Sequence, residues 1–156
     1  MSTEQWISEQ RTLLKLKAET LAVAEQKKYG YRFVSNSLEF VAIGKALQGA
    51  ELDEFKASAA NVIAAFPAAG ADAASRKTYH SALSTYKGML LKRHKIVPEG
   101  YYLAIWMPLG IAIGLPYGIL FKNLAIGVAL GPAIGLMIGG FLNANAKKKG
   151  LIIPTD

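Results

Sequence analysis

Residues able to carry catalysis or hold a metal are sparse in this chain. Its two histidines, His80 and His94, stand 14 positions apart on one expected helix, whereas two helical ligands share a metal when they lie one turn apart. Neither reads as a ligand. Arg76 lies one turn before His80 and Arg93 adjoins His94, which sets a cation beside a group able to move a proton. Glu51, Asp53 and Glu54 cluster where a helix should begin, and the backbone dipole favours negative charge there without any catalytic role. There is no Walker-type loop, dinucleotide fingerprint or His-Glu-x-x-His, and with no cysteine there is neither thiolate nor disulfide chemistry. The expectation is a protein that is not an enzyme, with no catalytic residue, no cofactor and no metal.

The elements around these residues divide between two solvents. No Asp or Glu occurs between Gly100 and Thr155, while nine of the eleven acids precede Pro98. Of the 18 Lys and Arg, 14 precede Pro98, and two tight clusters flank the apolar stretch: Lys92, Arg93 and Lys95 before it, Lys147, Lys148 and Lys149 after it. A net charge of +7 would suit nucleic acid. Charges gathered where a chain meets a bilayer are better explained by anionic head groups and the positive-inside bias. The expected partner is therefore a bilayer with anionic head groups, and nucleic acid is not expected.

Tyr101 to Phe121 is an uncharged stretch of 21 residues and Leu124 to Leu142 a second of 19; either suffices to cross a hydrocarbon core of about 30 Å as a helix. Only Lys122 and Asn123 separate them, so the chain turns back as a hairpin. The basic clusters outside the two spans, against Lys122 alone in the turn, predict cytoplasmic N and C termini. Tyr101, Tyr102 and Trp106 sit where amphipathic rings prefer the head-group layer. Glycine recurs at every fourth position: Gly110, Gly114, Gly118, then Gly127, Gly131, Gly135, Gly139. Each set draws one stripe down a helix, where missing side chains let another backbone approach. The stripes either face each other within one hairpin, with 118 level with 127, 114 with 131 and 110 with 135, or they meet neighbouring subunits. Ala112, Ala125, Ala129 and Ala133 add small residues on other faces, which predicts a homo-oligomer. Pro108, Pro116 and Pro132 mark either kinks or prolines tolerated against neighbours. No ionisable residue lies within either span, which counts against a proton relay or a charged coupling site.

The run from Tyr101-Tyr102 through Trp106-Met107-Pro108-Leu109-Gly110 to Gly114, followed by Ala125-Ile126-Gly127 and the later repeat, resembles bacterial glycine-zipper membrane proteins. The resemblance covers about 45 residues, from Pro98 to Leu142. It implies a self-packing two-span membrane module, placed in the bacterial inner (plasma) membrane, rather than an activity. Lipid-anchored members of the wider group carry an N-terminal lipidated cysteine, which this chain lacks.

Residues 1–97 read as a small cytoplasmic helical bundle, their apolar positions recurring at three and four. One helix is expected from about Thr3 to Lys28, with Ile7, Leu14, Ala18 and Leu21 on one face. Tyr29 to Val34 alternates briefly. Asn36 and Glu39 have the form of a capping box, with Gly49 placed to end the helix that follows. Further helices are expected at about Leu52–Phe66 and Asp72–His94. The fold class is thus all-α: this bundle in 1–97, a transmembrane hairpin with Gly-xxx-Gly stripes in 98–145, and a basic cytoplasmic tail in 146–156. Two functions follow. The first is self-association through the zipper helices, extending to a homo-oligomeric pore or membrane-perturbing assembly controlled by the bundle. The alternative is a membrane-anchored adaptor whose bundle binds a cytoplasmic protein partner.

Overall fold

The computed structural model describes residues 2–42 and 47–154, and these form seven helices and two short strands. The chain separates into two compact units, a helical one within 1–96 to which the chain returns at Ile153, and a second at Val97–Ile152.

The helical unit opens with α1, Thr3–Glu19, capped by a reciprocal pair: the Ser2 hydroxyl accepts from the Gln5 backbone N–H at 3.2 Å, and the Gln5 side chain accepts from the Ser2 N–H at 3.0 Å. The expected single helix to Lys28 is broken into α1 and α2, Val23–Lys28. No glycine or proline marks the break. The Gln26 amide instead donates to the carbonyls of Ala18 at 2.9 Å and Leu21 at 3.1 Å, satisfying the acceptors that the break exposes. Gly30, at φ 68°, turns the chain into α3, Tyr31–Ala42. The brief alternation after Tyr29 is therefore helical. Asn36 lies inside α3 and caps nothing; its side chain donates to the Pro154 carbonyl at 2.9 Å. The end of the helix expected after Asn36 falls partly in 43–46, outside the described residues, and Gly49 opens α4, Gly49–Ala64, rather than closing a helix. Lys17 donates to the last carbonyls of α4, Ile63 at 2.9 Å and Ala64 at 2.6 Å, a cation at the negative end of the helix dipole. Partial burial draws its pKa down.

The last helix of the unit, α5 at Ala73–His94, starts at Asp72, whose carboxylate accepts from the Ser75 N–H at 2.8 Å; the Ser75 hydroxyl and then this N–H hold it below its usual pKa. The core is aromatic. Tyr79 packs edge-on to Tyr29 and Phe66 and donates its hydroxyl to the Tyr29 carbonyl. Tyr86 meets Phe33 and Phe55, and its hydroxyl shares a 2.7 Å hydrogen bond with Ser37, which also bonds the Val34 carbonyl at 2.7 Å. The hydroxyls of Tyr79, Tyr86 and Ser37 therefore all have partners.

In the second unit α6, Tyr101–Leu120, and α7, Leu124–Lys148, are joined by Phe121 to Asn123. Lys122 takes the left-handed conformation, φ 51°. The Asn123 N–H reaches back to the Gly118 carbonyl at 2.9 Å, and that of Lys122 to Ile119 at 3.0 Å, the paired bonds that commonly close a helix. The second span ends the same way at Gly150, φ 61°, with Leu151 N–H on the Ala146 carbonyl at 3.0 Å. It thus runs past the expected Leu142, and Lys147 and Lys148 form its last turn, where cations suit the dipole. Strand β1, Val97–Pro98, pairs with β2, Ile152–Ile153, and the Val97 N–H donates to the Leu151 carbonyl at 2.9 Å. Helical structure continues through Pro108, Pro116 and Pro132.

Candidate functional site

The two glycine rows lie against each other. A Cβ built on Gly110 would strike the Gly131 carbonyl and stand 2.7 Å from the Gly135 nitrogen; one on Gly114 would strike the Gly127 carbonyl and stand 2.6 Å from the Gly131 Cα. From the other side, a Cβ on Gly127 would be 2.6 Å from the Gly114 carbonyl, and one on Gly131 2.8 Å from that of Gly110. All these neighbours are backbone atoms, so no side chain can swing aside. The rows loosen toward the ends, to 3.0 Å at Gly118 and 3.1 Å at Gly139. Every glycine of both rows is buried.

The interface extends beyond the glycines. A Cβ on Gly135 would strike the Trp106 carbonyl, and Gly139 faces the Tyr102 carbonyl and the Trp106 Cβ. Tyr102 and Trp106 continue the row 110, 114, 118 backwards at the same four-residue step. That spacing was the available signal that these rings sit on the packing seam as well as at the expected interface depth. Asn143 continues the opposite row after Gly139, and its buried Oδ1 has no hydrogen-bond partner. Tyr101 stands edge-on to Tyr102, centroids 5.5 Å apart.

Most apolar residues outside the seam are exposed. Only 17% of the apolar window of α6 and 22% of that of α7 is buried, the reverse of a core helix in a water-soluble fold. Ile119, Leu120, Phe121, Met137 and Phe141 are all more than 60% exposed. Such a surface is stable in hydrocarbon and costly in water. Two residues from each glycine row, hence about 200° around the helix, run Ala104, Pro108, Ala112 and Pro116 on α6 and Ala125, Ala129 and Ala133 on α7, all exposed.

The basic residues of the flanks are exposed. Lys92 and Arg93 occupy the last turn of α5 and Lys95 its left-handed cap at φ 57°, while Lys149 caps α7. Arg93 approaches Glu54 at 3.6 Å. The polar residues first weighed for chemistry do not converge. His80 packs on the rings of Tyr79 and Tyr29, Glu51 lies in the first turn of α4 and Arg76 in the first turns of α5.

Residues 93–145 fit the model of a family described as glycine zipper membrane protein. The matched 53 residues are a third of the chain and cover the hairpin but almost none of the helical unit. Neither the curated proteins nor the solved structures yield a match. The hairpin is similar to glycine zipper membrane proteins, and this likeness together with the two long apolar helices supports a membrane location.

Proposed function

We propose that the protein is a membrane-anchored adaptor, in which the hairpin fixes the helical unit at a bilayer and that unit binds a cytoplasmic protein partner. The observation that carries this is the mutual closure of the two glycine rows: each is occupied by the other, down to backbone contact, so neither is free to recruit a neighbour. Both flanks of the hairpin are also tied. Val97 pairs with Leu151, and the chain then re-enters the helical unit through buried Ile153. In this reading the protein is not an enzyme, sits in a bacterial inner membrane with both termini cytoplasmic, and uses its basic flanks on anionic head groups. The test replaces residues 98–150 with an unrelated two-span anchor and recovers partners by crosslinking in cells. The same partner captured by both proteins supports the adaptor, and loss of the partner with the swapped anchor removes it.

A second reading is favoured by the outer rows. Ala104, Pro108, Ala112 and Pro116 on one side and Ala125, Ala129 and Ala133 on the other offer small-residue faces to further copies. They support self-association into a homo-oligomeric, membrane-perturbing assembly or pore, whose wall is uncharged because residues 101–121 and 124–142 hold no Asp, Glu, Lys, Arg or His. Light scattering of detergent-purified protein separates the two. A monomer supports the adaptor, and a defined oligomer that dissociates on Ala129→Leu supports the assembly.

A further inference from the structure

Beside the C-terminal half of α5 a groove of about 530 Å³ opens toward α4, lined by Ser84, Thr85, Gly88, Met89, Lys92 and Arg93, with Glu54 across from them. Gly88 is the residue that packing leaves unexplained. It lies in a helix interior, where glycine is less favourable than alanine, it has no positive φ, and nothing lies within 4 Å of where its Cβ would be. No close approach demands it. What its missing side chain does is keep open the floor of the groove, between the hydroxyls of Ser84 and Thr85 one turn before and the charges of Lys92 and Arg93 one turn after.

The chemistry of the rim is that of an anion site. Two cations face a single carboxylate, and the Arg93 to Glu54 distance of 3.6 Å is longer than a well-formed charged hydrogen bond, so the guanidinium keeps donors for a ligand. Thr85 holds its hydroxyl on the Ser81 carbonyl at 3.1 Å, a bond it can exchange for a stronger acceptor. The groove between α1 and α3 provides a contrast: Arg11 and Lys15 there face Glu4 and Glu39, with Arg11 paired to Glu39 at 2.7 Å, and the charges cancel. Covalent connection then identifies the anion. Five residues separate Lys95 from Tyr101, and at about 3.5 Å per residue the chain cannot carry Lys95 more than about 20 Å from the first residue of the span.

We propose that this groove binds the phosphate of an anionic phospholipid head group, Lys92 and Arg93 holding its oxygens, Ser84 and Thr85 donating to them, and Gly88 admitting it. The inference rests on the hairpin lying in a bilayer and is independent of whether the chain acts as adaptor or assembly. Native mass spectrometry of the full chain tests it, in micelles doped with phosphatidylglycerol or phosphatidylcholine, with and without inorganic phosphate. The expected result is preferential retention of phosphatidylglycerol that phosphate does not displace. It should weaken about tenfold, the worth of one charged hydrogen bond, in Lys92→Gln/Arg93→Gln and in Gly88→Leu, but not in Lys147→Gln/Lys148→Gln/Lys149→Gln. Circular dichroism of each variant checks its fold; the leucine enters open space on a helix and should leave melting unchanged or raised. Equal loss from both basic clusters would mean general surface attraction and overturn the site. Displacement by inorganic phosphate, or full retention in Gly88→Leu, overturns it as well. A wild-type chain that fractionates with membranes yet shows no lipid preference sinks this inference alone, whereas a chain absent from membranes sinks the membrane reading beneath it.

Discussion

Substituting alanine for one glycine of the seam and for one glycine just off it should have opposite effects in the same helix. At position 131 a Cβ would stand 2.8 Å from the Gly110 carbonyl oxygen and 2.8 Å from the Cα of Ile111. Carbon contacts are comfortable at about 3.5 Å, so α6 and α7 must part there by about 0.7 Å, and the obstructing atoms are backbone that cannot rotate away. Overpacking of this kind costs about 1–3 kcal/mol. At Gly140 nothing lies within 4 Å, and alanine there should be neutral or stabilising by up to about 1 kcal/mol through helix propensity. Two readouts check this. Unfolding in mixed micelles of sodium dodecyl sulfate, followed by circular dichroism, gives the difference in stability. Spin labels on Ala112→Cys and Ala129→Cys, unique because the chain has no cysteine, give the separation of the helices. Gly131→Ile should widen that separation by several times the alanine shift, while Gly139→Ala, with 3.1 Å to its nearest neighbour, should be milder than Gly131→Ala. If Gly131→Ala is tolerated as well as Gly140→Ala and the label distance stays put, the rows do not face each other and the reasoning fails.

Three further outcomes concern the helical unit. Ile153 is fully buried, so Ile153→Ala should cost about 2–5 kcal/mol, read as a lower melting midpoint. Burial raises the pKa of Tyr86 above its ordinary 10.0, and likewise that of Tyr79; the unfolded chain ionises first. The stability these hydroxyls contribute is therefore complete below pH 10 and lost as pH climbs beyond it. Denaturant midpoints measured from pH 8 to 11 should fall only at the alkaline end, and less steeply in Tyr86→Phe. Lys17→Met removes the ammonium from both terminal carbonyls of α4, of which Ile63 keeps the Phe66 N–H, and should cost about 1–3 kcal/mol in chemical denaturation, with Lys15→Met, whose partner Glu19 is exposed, as the near-neutral control.

The hairpin was legible because its signals are local and periodic: length without charge, glycine at a constant step, basic flanks. The level pairing of 110 with 135, 114 with 131 and 118 with 127 follows from the turn position alone, and the geometry adopts it. Within the helical unit, α5 and its bounds near Asp72 and His94 were legible for similar reasons. What escaped was set by side chains acting over distance. The break at Thr20 carries no glycine or proline and depends on Gln26 reaching back to Ala18 and Leu21. The capping box that exists, Ser2 with Gln5, had the required spacing, as did Asn36 with Glu39; packing of Phe33, Val34, Leu38 and Val41 into the core kept α3 continuous through the second. Ile152 and Ile153, read as part of a basic tail, are buried, and their destination could not be seen without the fold.

Two ties make intramolecular closure of the glycine rows the expected state in a bilayer. The turn from Phe121 to Asn123 holds them at one end and the Val97 to Leu151 hydrogen bond at the other, so each row meets its partner at the effective concentration of a short, stiff linker, millimolar or higher. A neighbouring copy offers the same backbone surface without that advantage. It can displace the intramolecular partner only by opening the turn, which costs the closing bonds at Gly118 and Ile119. Assembly of several copies therefore has to use the outer alanine and proline rows, whose side chains keep backbones farther apart than the seam does. Glycine substitutions should then alter the hairpin itself and alanine substitutions its association. A chain in which Gly131→Ile abolishes oligomers while leaving the label distance within the hairpin unchanged would show that the rows pair between copies after all.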